Sequence, residues 1–129
     1  MRFAKWVFLL SGFSGVLMIC PLYFEDRFFD DYPPAINRPE FYYGFVGLCL
    51  AWQFMFIVIG FDPIRYRMAM LPAMLEKGSF AIAVPILYAF GRVPAVWLGF
   101  ASMDATWLVL FVVAFLWTPK EPPPVGKTA

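Results

Sequence analysis

Four long apolar stretches, at 3–23, 41–61, 68–90 and 93–117, dictate most of what this chain can become. Crossing the hydrocarbon core of a bilayer takes about 20 apolar residues in a helix, and each stretch is long enough. No water is available at that depth, so each stretch must close its own backbone hydrogen bonds and is expected to be helical. Composition argues against a soluble fold. Of 129 residues, 62% are hydrophobic and 15% charged, whereas soluble domains average about 45–50% and about 25%. A chain this short leaves a large share of its surface outside any core. The expected fold class is all-α: a four-transmembrane-helix antiparallel bundle. It forms one membrane domain over 1–118, followed by a polar, Pro-rich tail over 119–129 that is expected to be disordered.

The connections set the topology. Residues 25–40 are acidic and aromatic and contain Pro33-Pro34. Residues 62–67 are short and basic, and Gly91-Arg92 is shorter still, with Pro94 suited to a helix first turn. Arg2, Lys5, Arg65, Arg67, Lys120 and Lys127 fall on one side, and Arg27, Arg38 and Arg92 on the other. The side richer in Lys and Arg is cytoplasmic by the positive-inside rule, which places both termini inside. Trp6, Tyr23, Tyr42, Tyr43, Tyr66 and Trp117 lie where interfacial aromatic belts form. The first stretch resembles a secretory signal, with Arg2 and Lys5 ahead of an apolar run. No small-x-small site follows, and Ile19 ahead of Cys20 is too bulky for lipoprotein processing. A retained first helix is expected.

Three ionisable residues interrupt the apolar stretches: Glu76, Lys77 and Asp104, together with Gln53, Ser79, Ser102 and Thr106. Unpaired at mid-depth, the three charges would cost roughly 8–10 kcal/mol, at about 2.5–3.5 kcal/mol each. Register lets them meet. With Gly91 as a turn, Lys77 lies fourteen residues before it and Asp104 thirteen after. With Ile64 as the other turn, Gln53 lies eleven before and Glu76 twelve after. One polar layer of Gln53, Glu76, Lys77 and Asp104 is the expectation. Ala69, Ala73, Glu76 and Ala83 recur at helical spacing, which aims Glu76 inward. Ser11, Ser14 and Gly15 offer a matching small patch on the first helix. Two acids facing one base leave one carboxyl, Glu76 or Asp104, expected to keep its proton. The structural reading is that Lys77–Asp104 is an ion pair and Gln53–Glu76 a hydrogen bond, both fixing helix register. A further alternative breaks the third helix at 76–79, with Pro72 and Pro85 as weak points.

Other features narrow the chemistry. The absence of His excludes a His base, His metal ligand or His-ligated haem within this chain. Cys20 and Cys49 form no C-x-x-C pair and read as small buried apolar residues. No cofactor and no metal site is expected, although Glu25, Asp26, Asp30 and Asp31 carry hard-cation oxygens without calcium-loop spacing. Asp62 and Pro63 suit the start of the third helix, and Arg65 and Arg67 suit lipid phosphates. Trp52, Trp97 and Trp107 lie within spans, either packing against lipid or lining a pocket. No basic stripe points to nucleic acid.

The residues Gly44-Phe45-Val46-Gly47, Trp52-Gln53, Asp62-Pro63-x-Arg65-Tyr66-Arg67, Met70-Leu71-Pro72, Leu75-Glu76-Lys77 and Asp104 resemble those of uncharacterised bacterial four-helix integral membrane proteins. In size and helix count the chain also resembles the DoxX-like group. The resemblance covers about 41–119 and implies a bacterial inner-membrane location, but no reaction and no catalytic residues. Three functions stand open. The first is a non-enzymatic accessory or oligomeric membrane protein, whose partners would be membrane lipids, further copies or a larger membrane complex. The second is a small proton- or ion-coupled carrier using Glu76, Lys77 and Asp104. The third is a membrane enzyme acting on a lipid-like substrate, with a carboxyl as general acid.

Overall fold

A computed structural model describes residues 2–24 and 39–120. Among them the chain is all-helical, with four long helices: α1 (Arg2–Ile19), α2 (Pro39–Phe61), α3 (Met70–Ala89) and α4 (Val96–Trp117). All four are long and apolar enough to cross a membrane, counting with α1 and α3 the short 3₁₀ segments that flank them. The acidic connection and its candidate cation ligands fall at 25–38, and most of the tail at 121–129, outside the described residues.

Local chemistry explains where the helices begin and end. Pro21 has no N–H to donate to Leu17, so the chain tightens into a 3₁₀ turn over Cys20–Phe24 instead of continuing as α-helix to residue 23. Tyr42 Oη donates to the carbonyl of Leu22 at 2.8 Å, satisfying an acceptor that the helix end leaves open. Asp62 caps its own turn rather than the third helix. Its carboxylate accepts from Arg65 N at 3.2 Å and its carbonyl from Tyr66 N at 3.1 Å. A 3₁₀ turn, Arg67–Ala69, then leads into α3, which has no side-chain cap. α3 is continuous through 76–79. Pro72 sits in its first turn, where the missing N–H is harmless. Pro85 removes one interior hydrogen bond without ending the helix. α3 closes in a Schellman motif: Gly91, at φ +70°, donates to Tyr88 O and Arg92 N to Leu87 O, each at 2.9 Å. The turn is longer than Gly91-Arg92 alone, and Pro94 lies just ahead of α4 rather than inside it.

The helices pack as two close pairs, α1 with α2 and α3 with α4. α1 also meets α4, while α2 and α3 touch only slightly. Glycines set the first pair. A Cβ on Gly12 would stand 2.8 Å from the Gln53 carbonyl and 3.0 Å from Ile57 N, and one on Gly60 would stand 2.7 Å from Leu9 Cγ. The small patch on α1 therefore receives α2, whereas the sequence suggests the small face of α3. Glycine carries the closest approach, because it brings backbone to backbone. At one end the two pairs are joined by a buried aromatic core. Phe8 stacks on Phe111 at 4.3 Å, Phe56 meets Phe111 edge-on at 5.0 Å, and Met70, Ala73 and Ala114 fill around them. Arg67 fastens the end of α4. It donates to Thr118 O at 2.8 Å, and its guanidinium lies 3.9 Å from the Phe115 ring.

Gly12→Ala is expected to destabilise the α1–α2 pair by about 1–3 kcal/mol, since the backbone of α2 must retreat. Gly44, with open space where a Cβ would point, serves as the control. Thermal unfolding in detergent should show a lowered midpoint for Gly12→Ala and none for Gly44→Ala; equal midpoints would contradict the packing.

Candidate functional site

α3 carries its buried residues at Met70, Ala73, Lys77, Gly78 and Val84, spacings of three, four, one and six that keep one face turned inward. Lys77 is the innermost polar residue of that face, 6% exposed. Glu76, one position earlier, lies about 100° around the helix and keeps 18% of its side chain exposed. Sequence periodicity aims Glu76 inward, and Glu76 does line the interior with its Oε2 buried, while the deepest place on the face goes to Lys77. A lysine suits it because its apolar stem packs while its ammonium reaches partners.

The ammonium has three neighbours. Asp104 Oδ1 on α4 accepts from Lys77 Nζ at 3.3 Å, Glu76 Oε2 lies at 3.6 Å, and the Phe56 ring of α2 has its centroid at 5.2 Å. Lys77 and Asp104, brought to one level by counting from the Gly91 turn, are in contact. Phe56 belongs to the aromatic core, so the ammonium stands on top of that core.

Gln53 takes a different partner from the one its register suggests. It is 2% exposed and its Nε2 donates to Cys49 O at 3.1 Å, one turn back on its own helix, not to Glu76. Its amide lies directly against Gly15 of α1, where any Cβ would overlap it. Gln53 Oε1 and Ser11 Oγ are buried without a hydrogen-bond partner among the described residues. Glu76 Oε2 likewise accepts no hydrogen bond beyond its ion-pair contact. Ser102 and Thr106 stand apart: both are exposed and donate to backbone carbonyls of their own helix. Ser79 does the same toward Glu76 O. Arg67 is engaged at Thr118, whereas Arg65 is exposed, 5.6 Å from the Tyr66 ring.

Ser11, Gln53, Glu76, Lys77, Ser79 and Asp104 line one cavity of about 740 Å³ between the two helix pairs. Gln53, Glu76, Lys77 and Asp104 stand where the cavity meets the aromatic core and form its floor. Trp52, Trp97 and Trp107 line its walls. The cavity extends from that floor toward Leu22 and Tyr42, at the end of the assembly that holds the Gly91 turn. Cys49 also lines it; both cysteines are free thiols, and Cys20 is exposed. Sequence reasoning overlooked Cys49 as a cavity residue, although Phe45, Cys49 and Gln53 stand four apart on one helical face. A cavity that is apolar along its walls and polar at one end can hold a molecule with the same division. Compared with protein-family models, curated proteins and solved structures, the chain matches none.

Lys77→Met is expected to be the most damaging change in the cluster. It leaves two carboxyls side by side, and removing one member of a buried pair costs about 3–5 kcal/mol. Asp104→Asn leaves Lys77 with Glu76 and Phe56, so its loss should be clearly smaller. Unfolding midpoints in detergent read the order, and equal losses would contradict a shared ammonium.

Proposed function

We propose that this chain is a multi-pass bacterial inner-membrane protein, an antiparallel four-helix bundle with both termini cytoplasmic. Within it, the cavity between the helix pairs binds an amphipathic, lipid-like molecule. One observation carries the binding reading: the charged cluster forms the floor of a 740 Å³ apolar-walled cavity instead of being sealed inside packed helices. Ligand pockets typically enclose about 300–1,000 Å³ and combine apolar walls with a few convergent polar groups. A cluster that served only to hold register would need no such space beside it.

Four spans of adequate length support the membrane setting. The pairing of Leu9 with Gly60, Gly12 with Ile57 and Tyr23 with Gly47 supports opposed directions for α1 and α2. The Lys and Arg distribution supports cytoplasmic termini. In that orientation the cavity lies in the outer half of the bundle, and membrane lipids are both its surroundings and its source of ligand. The role is non-enzymatic: an accessory protein that holds or presents its ligand. A proton- or ion-coupled carrier draws less support, because the Phe8, Phe56 and Phe111 rings pack beneath the floor and block the way to the other end.

Lipids extracted from the purified protein should contain one amphipathic species enriched over the host membrane. Ala83 lines the cavity, and Ala83→Phe should deplete that species without lowering the unfolding midpoint. Mass spectrometry decides. An extract with host-membrane proportions, the same for both proteins, would remove the proposal.

A further inference from the structure

Three charged side chains line the cavity among the described residues: Glu76 and Lys77 from α3 and Asp104 from α4. Two carboxyls against one ammonium leave one negative charge in surplus. Part of the cluster is spent inside the protein. Glu76 Oε2 is sealed and turned to Lys77 Nζ at 3.6 Å, and Asp104 Oδ1 accepts from Nζ at 3.3 Å. Each carboxyl keeps a second oxygen, Glu76 Oε1 and Asp104 Oδ2, that is neither sealed nor hydrogen-bonded among the described residues. The two side chains stay 18% and 16% exposed, and both line the cavity. Tryptophans stand beside them. Trp97, Phe100, Asp104 and Trp107 follow one stripe of α4 at spacings of three, four and three, and Trp52 lines the cavity from α2. The protein already holds one cation by the same combination: Lys77 Nζ is shared by both carboxyls and lies 5.2 Å from the Phe56 ring centroid.

Resting on the cavity-binding reading above, we infer that the cavity selects cationic amphiphiles, with a quaternary or protonated ammonium head received by Glu76 Oε1 and Asp104 Oδ2 and an apolar body along the tryptophans. A cation leaving water needs a counter-charge, and the surplus carboxyl supplies it. Tryptophan faces attract an ammonium further. A neutral head leaves the surplus charge uncompensated. An anionic head adds a third negative group beside an ammonium that two carboxyls already share. A bare metal ion finds too few ligands, since no group of three His, Cys, Asp or Glu residues converges among the described residues.

A tail-matched series tests the selection: hexadecyltrimethylammonium, hexadecanol and palmitate. The trimethylammonium head has no N–H, so it reads charge and not hydrogen bonding. Each competes in phosphatidylcholine nanodiscs with tail-brominated hexadecyltrimethylammonium, and the saturable part of the tryptophan quenching is followed. Doses are counted as mole fraction in the bilayer, which removes differences in partitioning. The cation should displace the probe about tenfold more effectively than the alcohol, the order that one desolvated cation–π contact supplies, and palmitate should be weakest. Asp104→Asn and Glu76→Gln should each shrink that advantage severalfold, while tail-brominated hexadecanol quenches as before. The wild-type ranking stands as a test even where a variant fails to fold. Equal or tighter binding of the alcohol or palmitate overturns the charge selection and leaves the cavity reading intact. A cation advantage unchanged in both variants overturns the assignment to Glu76 and Asp104. Saturable quenching by neither brominated probe overturns the cavity reading and this inference together.

Discussion

The ammonium of Lys77 is the point on which the polar half of this structure depends. It ties α3 to α4 through Asp104, keeps Glu76 beside it and stands on the Phe56 ring of α2. One long side chain thus links its own helix to two others at the level where aromatic packing gives way to open space. In a bilayer, charges at that level have to be paired, because water is not there to solvate them. The pairing removes most of the cost and leaves a residue of chemistry: two carboxyls for one ammonium, and an amide oxygen with no partner among the described residues.

The two halves of the assembly follow from different side chains. Glycines at 12 and 60 bring α1 and α2 into backbone contact, and Gly15 makes room for the Gln53 side chain. Gly78 faces Leu108 of α4 at an ordinary packing distance. Between these pairs the phenylalanines at 8, 56 and 111 fill one end, large enough to leave no room for a ligand. At the other end the facing residues include Ser11, Ser14, Gly15 and Ala83, which are too small to close the gap. The cavity is thus a consequence of residue size along four apolar helices, and Arg67 bonded to Thr118 holds the packed end shut.

Much of the fold is legible in the sequence. Apolar run length locates four helices within a few residues, and counting from Gly91 brings Lys77 to Asp104. Three things are not legible, each for a physical reason. The phase of α3 is legible only in part, because alanine spacing marks the inward face that holds Glu76 without saying that Lys77, with its longer reach, takes the deepest place on it. Gln53 bonds to Cys49 O because a glutamine can satisfy itself one turn back, a choice that helix counting cannot see. The cavity itself depends on which helices pair, and small residues on α1 fit α2 and α3 equally well until glycine contacts decide.

The central claim is that an accessible cavity runs between the helix pairs down to the charged floor. Cys49 lines that cavity and is a native reporter of it. In a Cys20→Ser background only one thiol remains, and its alkylation by a membrane-permeant maleimide can be followed by intact-protein mass spectrometry. At alkaline pH, where thiolate is more available, the account predicts that Cys49 reacts in the folded protein and that a long-chain amphiphile at saturation slows the reaction severalfold. A reaction rate in the folded protein that the amphiphile leaves unchanged would contradict the account.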